Sequence, residues 1–313
     1  MHPFRFGVMM NHSMTMPTSG VQWRDFCRSA EDLGYSSLLL SDHLWEQLAP
    51  GPAVMAAADA TEHLRVGTLM YCNDFRYPAI LAKEVATLDL LTDGRLEVGL
   101  GAGWKDTDYH QAGIRKDPDG VRVDRMVEAL EILTGLLGDE PFSYAGEHYT
   151  ITELDATPKP IQKPHPPLIL GGGGPRVLRI AAQKGDIVSI NRTLRAGAVG
   201  TNARNNSSDA ATDQKVHWVR EAAGDRFGDL ELNMVIPDMV LTDDRRAEAA
   251  KHTARFGLDV DDVLRVPHLW LGTVDQICED LIERRERWGV SYLVVIAADM
   301  QAAAPIVERL RGT

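Results

Sequence analysis

The stretch Phe4–Leu40 begins with FRFGV and ends with SSLLL, and it decides how the chain folds. In Phe4–Val8 the apolar residues alternate with Arg5 and Gly7, which is the period of a strand whose two faces differ. In Trp23–Leu33 the apolar residues recur three or four positions apart, as they do on one face of a helix. Gly34 then ends the helix before the apolar run Leu38–Leu40. The stretch therefore predicts a strand, a helix and a second strand.

The same alternation of strand and helix patterns continues along the chain. Eight segments have a strand pattern, which is the number that a closed (β/α)8 barrel requires. We therefore predict an α/β fold with a single (β/α)8 barrel domain over residues 1–313, and a doubly wound open sheet is the alternative. The eight predicted strands are Phe4–Val8, Leu38–Leu40, Leu64–Tyr71, Arg95–Gly101, Leu168–Leu170, Ile187–Ile190, Leu230–Leu241 and Tyr292–Ala297.

Two segments interrupt this alternation. In residues 138–167, Phe142–Ile151 has the pattern of a small hairpin, and five prolines follow it in Pro158–Pro167. Residues 196–213 are polar, lack periodicity and are longer than a usual connection. We interpret 138–167 as an excursion from the barrel, and 196–213 as either a lid loop or a disordered segment.

The composition excludes several classes of protein. Hydrophobic residues at 44% and charged residues at 25% are typical of an ordinary globular enzyme. A formal net charge of −12 repels phosphate backbones, so we expect no nucleic-acid partner. Cys27, Cys72 and Cys278 form neither a disulfide framework nor a metal motif, and we expect no metal. The sequence has no basic leader and no apolar run of membrane-spanning length, so we expect a soluble cytoplasmic protein without a membrane partner.

A series of glycines lies in and after the fourth predicted strand. Gly99, Gly101 and Gly103 share one face, and the apolar residues between them share the other. Glycine weakens a strand, so such a series indicates close approach by another backbone or by a flat ligand. We favour the ligand, and tight packing within the chain is the alternative.

Four successive glycines, Gly171–Gly174, follow the fifth predicted strand and precede Pro175. Proline suits the first turn of a helix, and unhindered N–H groups beside a helix N-terminus bind anions. The segment therefore predicts a phosphate or diphosphate site, and a merely flexible turn is the alternative. Arg192 and Arg195 follow the next strand, where they either add positive charge to this site or are solvated surface residues.

Asp42 and His43 end the second predicted strand. Histidine titrates close to neutral pH, so an imidazole at a strand end can donate or accept a proton. Adjacent side chains of an extended segment point in opposite directions, so we do not expect these two to bond each other. Without further neighbours, an Asp-His pair favours a structural role.

Eight short motifs occur in a set order along the chain. They are Ser41-Asp42-His43-Leu44, Gly67-Thr68, Phe75-Arg76-Tyr77-Pro78, Leu91-Thr92-Asp93-Gly94-Arg95, Gly99-Leu100-Gly101-Ala102-Gly103-Trp104, Gly171-Gly172-Gly173-Gly174-Pro175, Leu271-Gly272-Thr273 and Trp288-Gly289-Val290. In this order they resemble the bacterial luciferase-like monooxygenase superfamily. The likeness is greatest to its branch of oxidoreductases that depend on the deazaflavin coenzyme F420, and it covers nearly the whole chain.

This resemblance implies a (β/α)8 barrel, commonly dimeric, with a flavin or deazaflavin ring at the strand ends. It implies that the phosphate tail lies over Gly172–Gly174, and that a cis peptide bond joins Leu69 to Met70 in a bulge after the third strand. The cofactor-binding residues that it implies are Asp42, His43, Leu69, Met70, Cys72, Gly103, Gly171, Gly172, Gly173, Gly174, Asn191 and Arg192.

One position departs from the family pattern. Characterised sugar-phosphate dehydrogenases of this branch have a catalytic glutamate where this chain has Trp104, so that substrate is not implied. Trp104 predicts instead an aromatic wall for a flat or apolar substrate, with a core position as the alternative. Asn11, which follows the first predicted strand, is a second predicted substrate contact.

The resulting hypothesis is an oxidoreductase that transfers a hydride between F420 and a small organic substrate. His43 is its predicted proton donor or acceptor, and Asp42 is a polar contact to the ring. The first alternative is an FMN-dependent two-component monooxygenase that takes reduced flavin from a partner reductase. A non-catalytic flavin-binding barrel and a non-redox barrel enzyme that acts on sugar phosphates are further alternatives. The family resemblance also implies a homodimer.

Overall fold

The computed structural model describes residues 2–10, 16–45, 47–192 and 206–313. Contacts between its residues divide the chain into two compact units. Unit 1 consists of residues 1–14, 29–36 and 170–313, and unit 2 consists of residues 15–28 and 37–169. The single domain over residues 1–313 stays a prediction.

The strands of the chain are numbered in order. They are β1 (Arg5–Met10), β2 (Ser37–Leu40), β3 (Arg65–Thr68), β4 (Tyr71–Cys72), β5 (Leu96–Gly101), β6 (Phe142–Ala145), β7 (Thr150–Leu154), β8 (Leu168–Gly172), β9 (Ile187–Ile190), β10 (Glu231–Ile236), β11 (Asp238–Leu241), β12 (Leu269–Gly272) and β13 (Val290–Ile296).

The main sheet has the hydrogen-bonded order β3-β2-β1-β13-β10-β9-β8-β5-β4, and β3 also pairs with β5. With β4 as the continuation of β3, the order returns to its start after eight positions, as in a (β/α)8 barrel. The predicted fold class is therefore confirmed. In β2 and β13 every residue is buried, which is typical of parallel strands covered on both faces.

The helices are α1 (Gly20–Asp32), α2 (Pro50–Ala60), α3 (Pro78–Leu91), α4 (Asp106–Ala112), α5 (Asp119–Leu137), α6 (Pro175–Lys184), α7 (Asp209–Ala223), α8 (Arg245–Phe256), α9 (Val260–Leu264), α10 (Val274–Trp288) and α11 (Met300–Leu310). Sequence reasoning missed α2, α4, α7, α8 and α9. Within the described ranges, no helix has the length and apolar character that a membrane crossing requires.

The two predicted interruptions have different outcomes. The hairpin in residues 138–167 is confirmed, since β6 and β7 pair in antiparallel fashion with Tyr144 opposite Ile151. In the second segment, residues 196–205 lie outside the described residues. The prediction of a loop is wrong for Asp209–Asp213, which form the start of α7. The Ser208 hydroxyl accepts a hydrogen bond from the Ala211 N–H at 3.2 Å and so caps this helix.

The prediction of one strand over Leu230–Leu241 is also wrong, because the segment divides at Pro237 between β10 and β11. Proline cannot donate to a sheet ladder. β11 pairs instead with β12, a strand that sequence reasoning missed. The segment from β11 to β12, with α8 and α9 between them, has an apolar cluster of its own. Its buried members are Ala249, Phe256, Val263, Val266, Leu269 and Leu271.

The glycine face of β5 is filled by the chain itself. A Cβ on Gly99 would collide with the Thr68 carbonyl oxygen and lie 2.8 Å from Met70 Cβ. A Cβ on Gly103 would collide with the Tyr109 hydroxyl. The prediction that this face receives a flat ligand is therefore wrong, and the alternative of close packing within the chain holds. Thr68 also donates its hydroxyl to the Gly99 carbonyl at 3.0 Å.

A Gly99→Ala substitution tests this packing. We expect it to lower the free energy of unfolding by about 3 kcal/mol, because the methyl group has no space beside a backbone oxygen. Gly228→Ala is the control, since nothing lies within 4 Å of that Cβ position; it should change stability by less than about 0.5 kcal/mol. Urea unfolding measures both. Equal stability of the two variants would contradict the close packing at Gly99.

Candidate functional site

In unit 2, the chemistry-bearing residues follow the carboxyl ends of parallel strands. His43 comes after β2, Leu69 and Met70 come after β3, and Trp104 comes after β5. Parallel strands end at the same edge of a sheet, which brings these segments together. The bond between Leu69 and Met70 is cis, as the family resemblance implies.

His43 is bonded to a buried carboxylate. Its Nδ1 lies 2.6 Å from Asp108 Oδ2, and the Asp108 side chain is only 3% exposed. Because a carboxylate accepts, Nδ1 carries the hydrogen in this pair, and Nε2 is the atom available to another molecule. The His43 side chain is 14% exposed. The pair can therefore hold an imidazole in one orientation and exchange a proton through Nε2.

Asp42 has different partners, as expected for a residue adjacent to His43. Its Oδ2 accepts the Cys72 N–H at 2.9 Å, and both of its oxygens bond the guanidinium of Arg76. The carboxylate is thus engaged by groups of the chain that follow β3. Its predicted contact with a cofactor ring stays a prediction.

Two tryptophans flank His43. Trp104 meets the imidazole edge-on, with 5.7 Å between ring centroids, and Trp45 is tilted against it at 6.0 Å. The Lys105 ammonium lies over both indoles, 4.7 Å from the Trp45 centroid and 5.2 Å from that of Trp104. Trp104 is half-buried and next to His43, which is compatible with the predicted aromatic wall.

Cys72 is part of a buried polar network. Its Sγ lies 3.5 Å from the Tyr109 hydroxyl, which donates to Asp74 at 2.9 Å. Arg125 donates to the other oxygen of Asp74 at 3.0 Å. Burial raises the pKa of Cys72 to about 11, so the thiol is neutral at physiological pH and poorly suited to be a nucleophile. The network fixes the segment after β4 against α4 and α5.

In unit 1, the two ends of the predicted glycine run have different roles. Gly171 and Gly172 end β8, and a Cβ on Gly171 would collide with the Ser189 carbonyl group of the neighbouring strand. Gly174 is the N-cap of α6, where no side chain caps the helix, and nothing lies within 4 Å of its Cβ position. The end of this turn therefore has the open backbone that an anion site requires.

Asn191 and Arg192 follow β9 in the same unit. The Asn191 N–H donates to the Gly172 carbonyl at 3.0 Å, which joins the end of β9 to the glycine turn. Among the described residues, the Arg192 guanidinium has no hydrogen-bond or ion-pair partner. Burial lowers the pKa of Lys215 to about 8, with Arg192 as a second cause, and its Nζ donates to the Asn191 and Asn206 carbonyls.

His268 is a buried group of unit 1 that sequence reasoning missed. Its Nδ1 donates to the Val235 carbonyl at 3.0 Å, and its Nε2 has no partner among the residues that the structure describes. Burial lowers the pKa of His268 to about 3, and nearby cationic side chains act in the same direction. The imidazole is therefore neutral in the folded protein.

Asn11 and Arg195 lie outside the described residues. In the parts of the chain that are described, no cluster of metal-ligating side chains occurs.

Sequence reasoning also missed Asp108, the partner of His43. The available signal was the acidic first turn of α4, in which Asp108 lies four residues after Trp104. Its pairing with a residue 65 positions earlier is a tertiary contact.

Comparison with known proteins identifies the family. The sequence profile described as luciferase-like monooxygenase matches residues 3–256. The chain belongs to this family. Its fold agrees with that of an F420-dependent secondary alcohol dehydrogenase solved with an F420-acetone adduct, at a TM-score of 0.74 and 19% identity, over 99% of this chain and 98% of the other.

Two curated relatives are similar over part of the chain. One is the F420-dependent glucose-6-phosphate dehydrogenase of Microbacterium testaceum, with 30% identity over 58% of this chain and 54% of the relative. Another is the oxygenase component of flavin-dependent trigonelline monooxygenase of Acinetobacter baylyi, with 28% identity over 53% of this chain and 47% of the relative. The chain thus spans about half the length of these relatives.

The buried imidazole of His268 gives an acid-sensitivity prediction. The unfolded chain binds a proton at His268 below a pKa of about 6.5, whereas the folded chain does not until about 3. Stability is therefore lost as the pH falls below 6.5. His268→Asn keeps a donor for Val235 but does not titrate. Between pH 7.5 and 5 it should lose about 2 kcal/mol less unfolding free energy than the unmodified protein.

Denaturant unfolding at the two pH values checks this expectation. His63→Asn is the control, because His63 is exposed and should lose as much stability as the unmodified protein does. If His268→Asn and the unmodified protein lose equal stability on acidification, His268 is not buried in its neutral form.

Proposed function

We propose that the protein is an oxidoreductase that transfers a hydride between F420 and a small organic substrate. Membership in the luciferase-like family and the F420-dependent relative support this proposal. The single observation that carries it is the pair of His43 and the buried Asp108, which lies beside Trp104 at the strand ends of unit 2. A proton-transferring group next to an apolar wall is what hydride transfer to or from an organic substrate requires.

The residues of unit 1 fit the anionic part of such a cofactor. F420 and FMN both carry phosphate, and we propose that Gly172–Gly174, Asn191 and Arg192 hold it. The open backbone at Gly174 supports this assignment, and so does the Arg192 guanidinium, which has no partner among the described residues. For the ring, we retain Asp42, His43, Leu69, Met70 and Cys72 as proposed contacts. We no longer propose Gly103 as a contact, because the Tyr109 hydroxyl occupies the position where a Gly103 Cβ would point.

When bound, the deazaflavin supplies the hydride chemistry. His43 Nε2 would donate or accept the proton that accompanies hydride transfer at a substrate oxygen. Asp108 keeps the hydrogen on Nδ1 and stabilises the imidazolium that forms when Nε2 takes up a proton. Trp104 would pack on the apolar part of the substrate and exclude water from the imidazole.

The alternative is an FMN-dependent two-component monooxygenase, which the trigonelline monooxygenase relative favours. This alternative also requires a partner reductase. We do not propose a sugar-phosphate substrate, because Trp104 stands where characterised sugar-phosphate dehydrogenases of the F420-dependent branch have a catalytic glutamate. The homodimer and the cytoplasmic location stay predictions.

Separate titrations with F420 and FMN, followed by absorbance, test the proposal. We expect saturable binding of F420 at micromolar concentration, and reduction of bound F420 by a small alcohol or another hydride donor from a substrate panel. Tighter binding of FMN would favour the monooxygenase. Binding without turnover across the panel would favour a non-catalytic barrel, and failure to bind either cofactor would overturn the proposal.

Asp108→Asn tests the proton-transfer pair. The amide occupies the same space but cannot stabilise an imidazolium, so we expect turnover to fall by about 10²-fold while cofactor affinity stays the same. His43→Ala should cause at least as large a loss. Asp59→Asn, on the exposed face of α2, is the charge-matched control and should leave both quantities unchanged. Unchanged turnover across neutral pH in both site variants would remove the role of His43.

A further inference from the structure

Lys105 contacts the same two indole rings as His43. Its ammonium lies within 5.2 Å of the ring centroids of Trp45 and Trp104. Both indoles also contact the His43 imidazole. A cation over an indole is stabilised by the ring quadrupole, and this attraction fixes the position of the ammonium without using its N–H donors. Lys105 and the His43 imidazole therefore share two indole neighbours, and the cation–π contacts leave the N–H donors of the ammonium available.

Three described carboxylates of the same segments are engaged by other partners. Asp106 pairs with Lys116, Asp108 pairs with His43, and Asp42 pairs with Arg76. Among the residues that the structure describes, none forms a hydrogen bond or an ion pair with the Lys105 ammonium. A half-buried ammonium that lacks an acceptor is an electrostatic complement for an anion.

A purely structural brace between two indoles is the other explanation for this arrangement. A brace needs no charge, because the stem of a long apolar side chain would pack between the rings as well. A cationic ligand is disfavoured because it would have to displace Lys105 and would meet its positive charge. The unused donors beside a proton-transferring imidazole favour an anionic ligand.

We propose that Lys105 is a specificity-determining residue that binds an anionic oxygen group of the substrate, either a carboxylate or a phosphate. The planar apolar body of this substrate packs on Trp104, next to His43. The inference rests on the proposed function, since it names the substrate class of the same site. Lys105 is required for binding and not for cofactor affinity.

Binding of matched probes to the cofactor-free protein tests this proposal. The probes are 2-naphthoate, 2-naphthyl phosphate and the neutral 2-naphthamide, and their dissociation constants are measured by calorimetry. We expect at least one anion to bind about tenfold more tightly than the amide, as a charge-assisted hydrogen bond would give. The better anion identifies the group that the substrate carries.

Three variants distinguish the roles of Lys105. Lys105→Met keeps the packing stem and should abolish the preference for the anion, while Lys105→Arg should retain it. Lys163→Met is the control for net charge, because Lys163 pairs with Asp139 on the surface; it should bind all probes as the unmodified protein does. Thermal unfolding shows that each variant is folded.

The proposal is overturned if the unmodified protein binds the amide as tightly as both anions, or binds none of the probes. It is also overturned if Lys105→Met retains the preference for the anion. Because the assay contains no cofactor, its outcome is independent of the F420 and FMN titrations. Failure of those titrations with a positive result here would reject the redox assignment and keep the anion site.

Discussion

The arrangement of unit 2 depends on how closely the chain after β3 approaches β5. This approach is possible because Gly99 has no side chain where the Thr68 carbonyl and the Met70 side chain lie. The paired hydrogen bonds between Thr68 and Gly99 then fix the two strands relative to each other. With that contact in place, Cys72 is positioned to donate its N–H to Asp42 and to meet Tyr109. The glycines thus determine the site through packing.

The charges of unit 2 show a second constraint. A buried carboxylate is costly unless it is paired, and the carboxylates near the strand ends each have a cationic or imidazole partner. Asp42 is matched by Arg76, Asp74 by Arg125 and Asp108 by His43. These pairs fix the loops that follow the strands. Of these three pairs only the last contains an imidazole, which is why we propose His43 for the chemistry.

Strand periodicity predicted the architecture well. All eight barrel strands were located, because parallel strands buried on both faces are apolar runs that stand out from the sequence. The errors occurred where the local pattern carries little information. α2 is rich in alanine, contains two prolines and lacks a strong amphipathic period, and five of the twelve residues of α8 are charged. The break at Pro237 was readable in the sequence, since proline rarely continues a central strand.

The site was predicted less completely than the fold. His43, Asp42 and Trp104 were found because motifs and strand ends mark them. Asp108, Lys105 and His268 were not, because their roles come from contacts with residues distant in sequence. The same limitation explains the error about the glycine face, since periodicity shows that a surface is bare but not what occupies it. Tertiary packing decides that question.

The β11 to β12 segment has its own apolar cluster, built around Phe256 and Leu271. Among the described strands, β11 and β12 hydrogen-bond each other and no strand of the main sheet. The packing of this cluster therefore sets no strand register in the ladder of β9, β10 and β13.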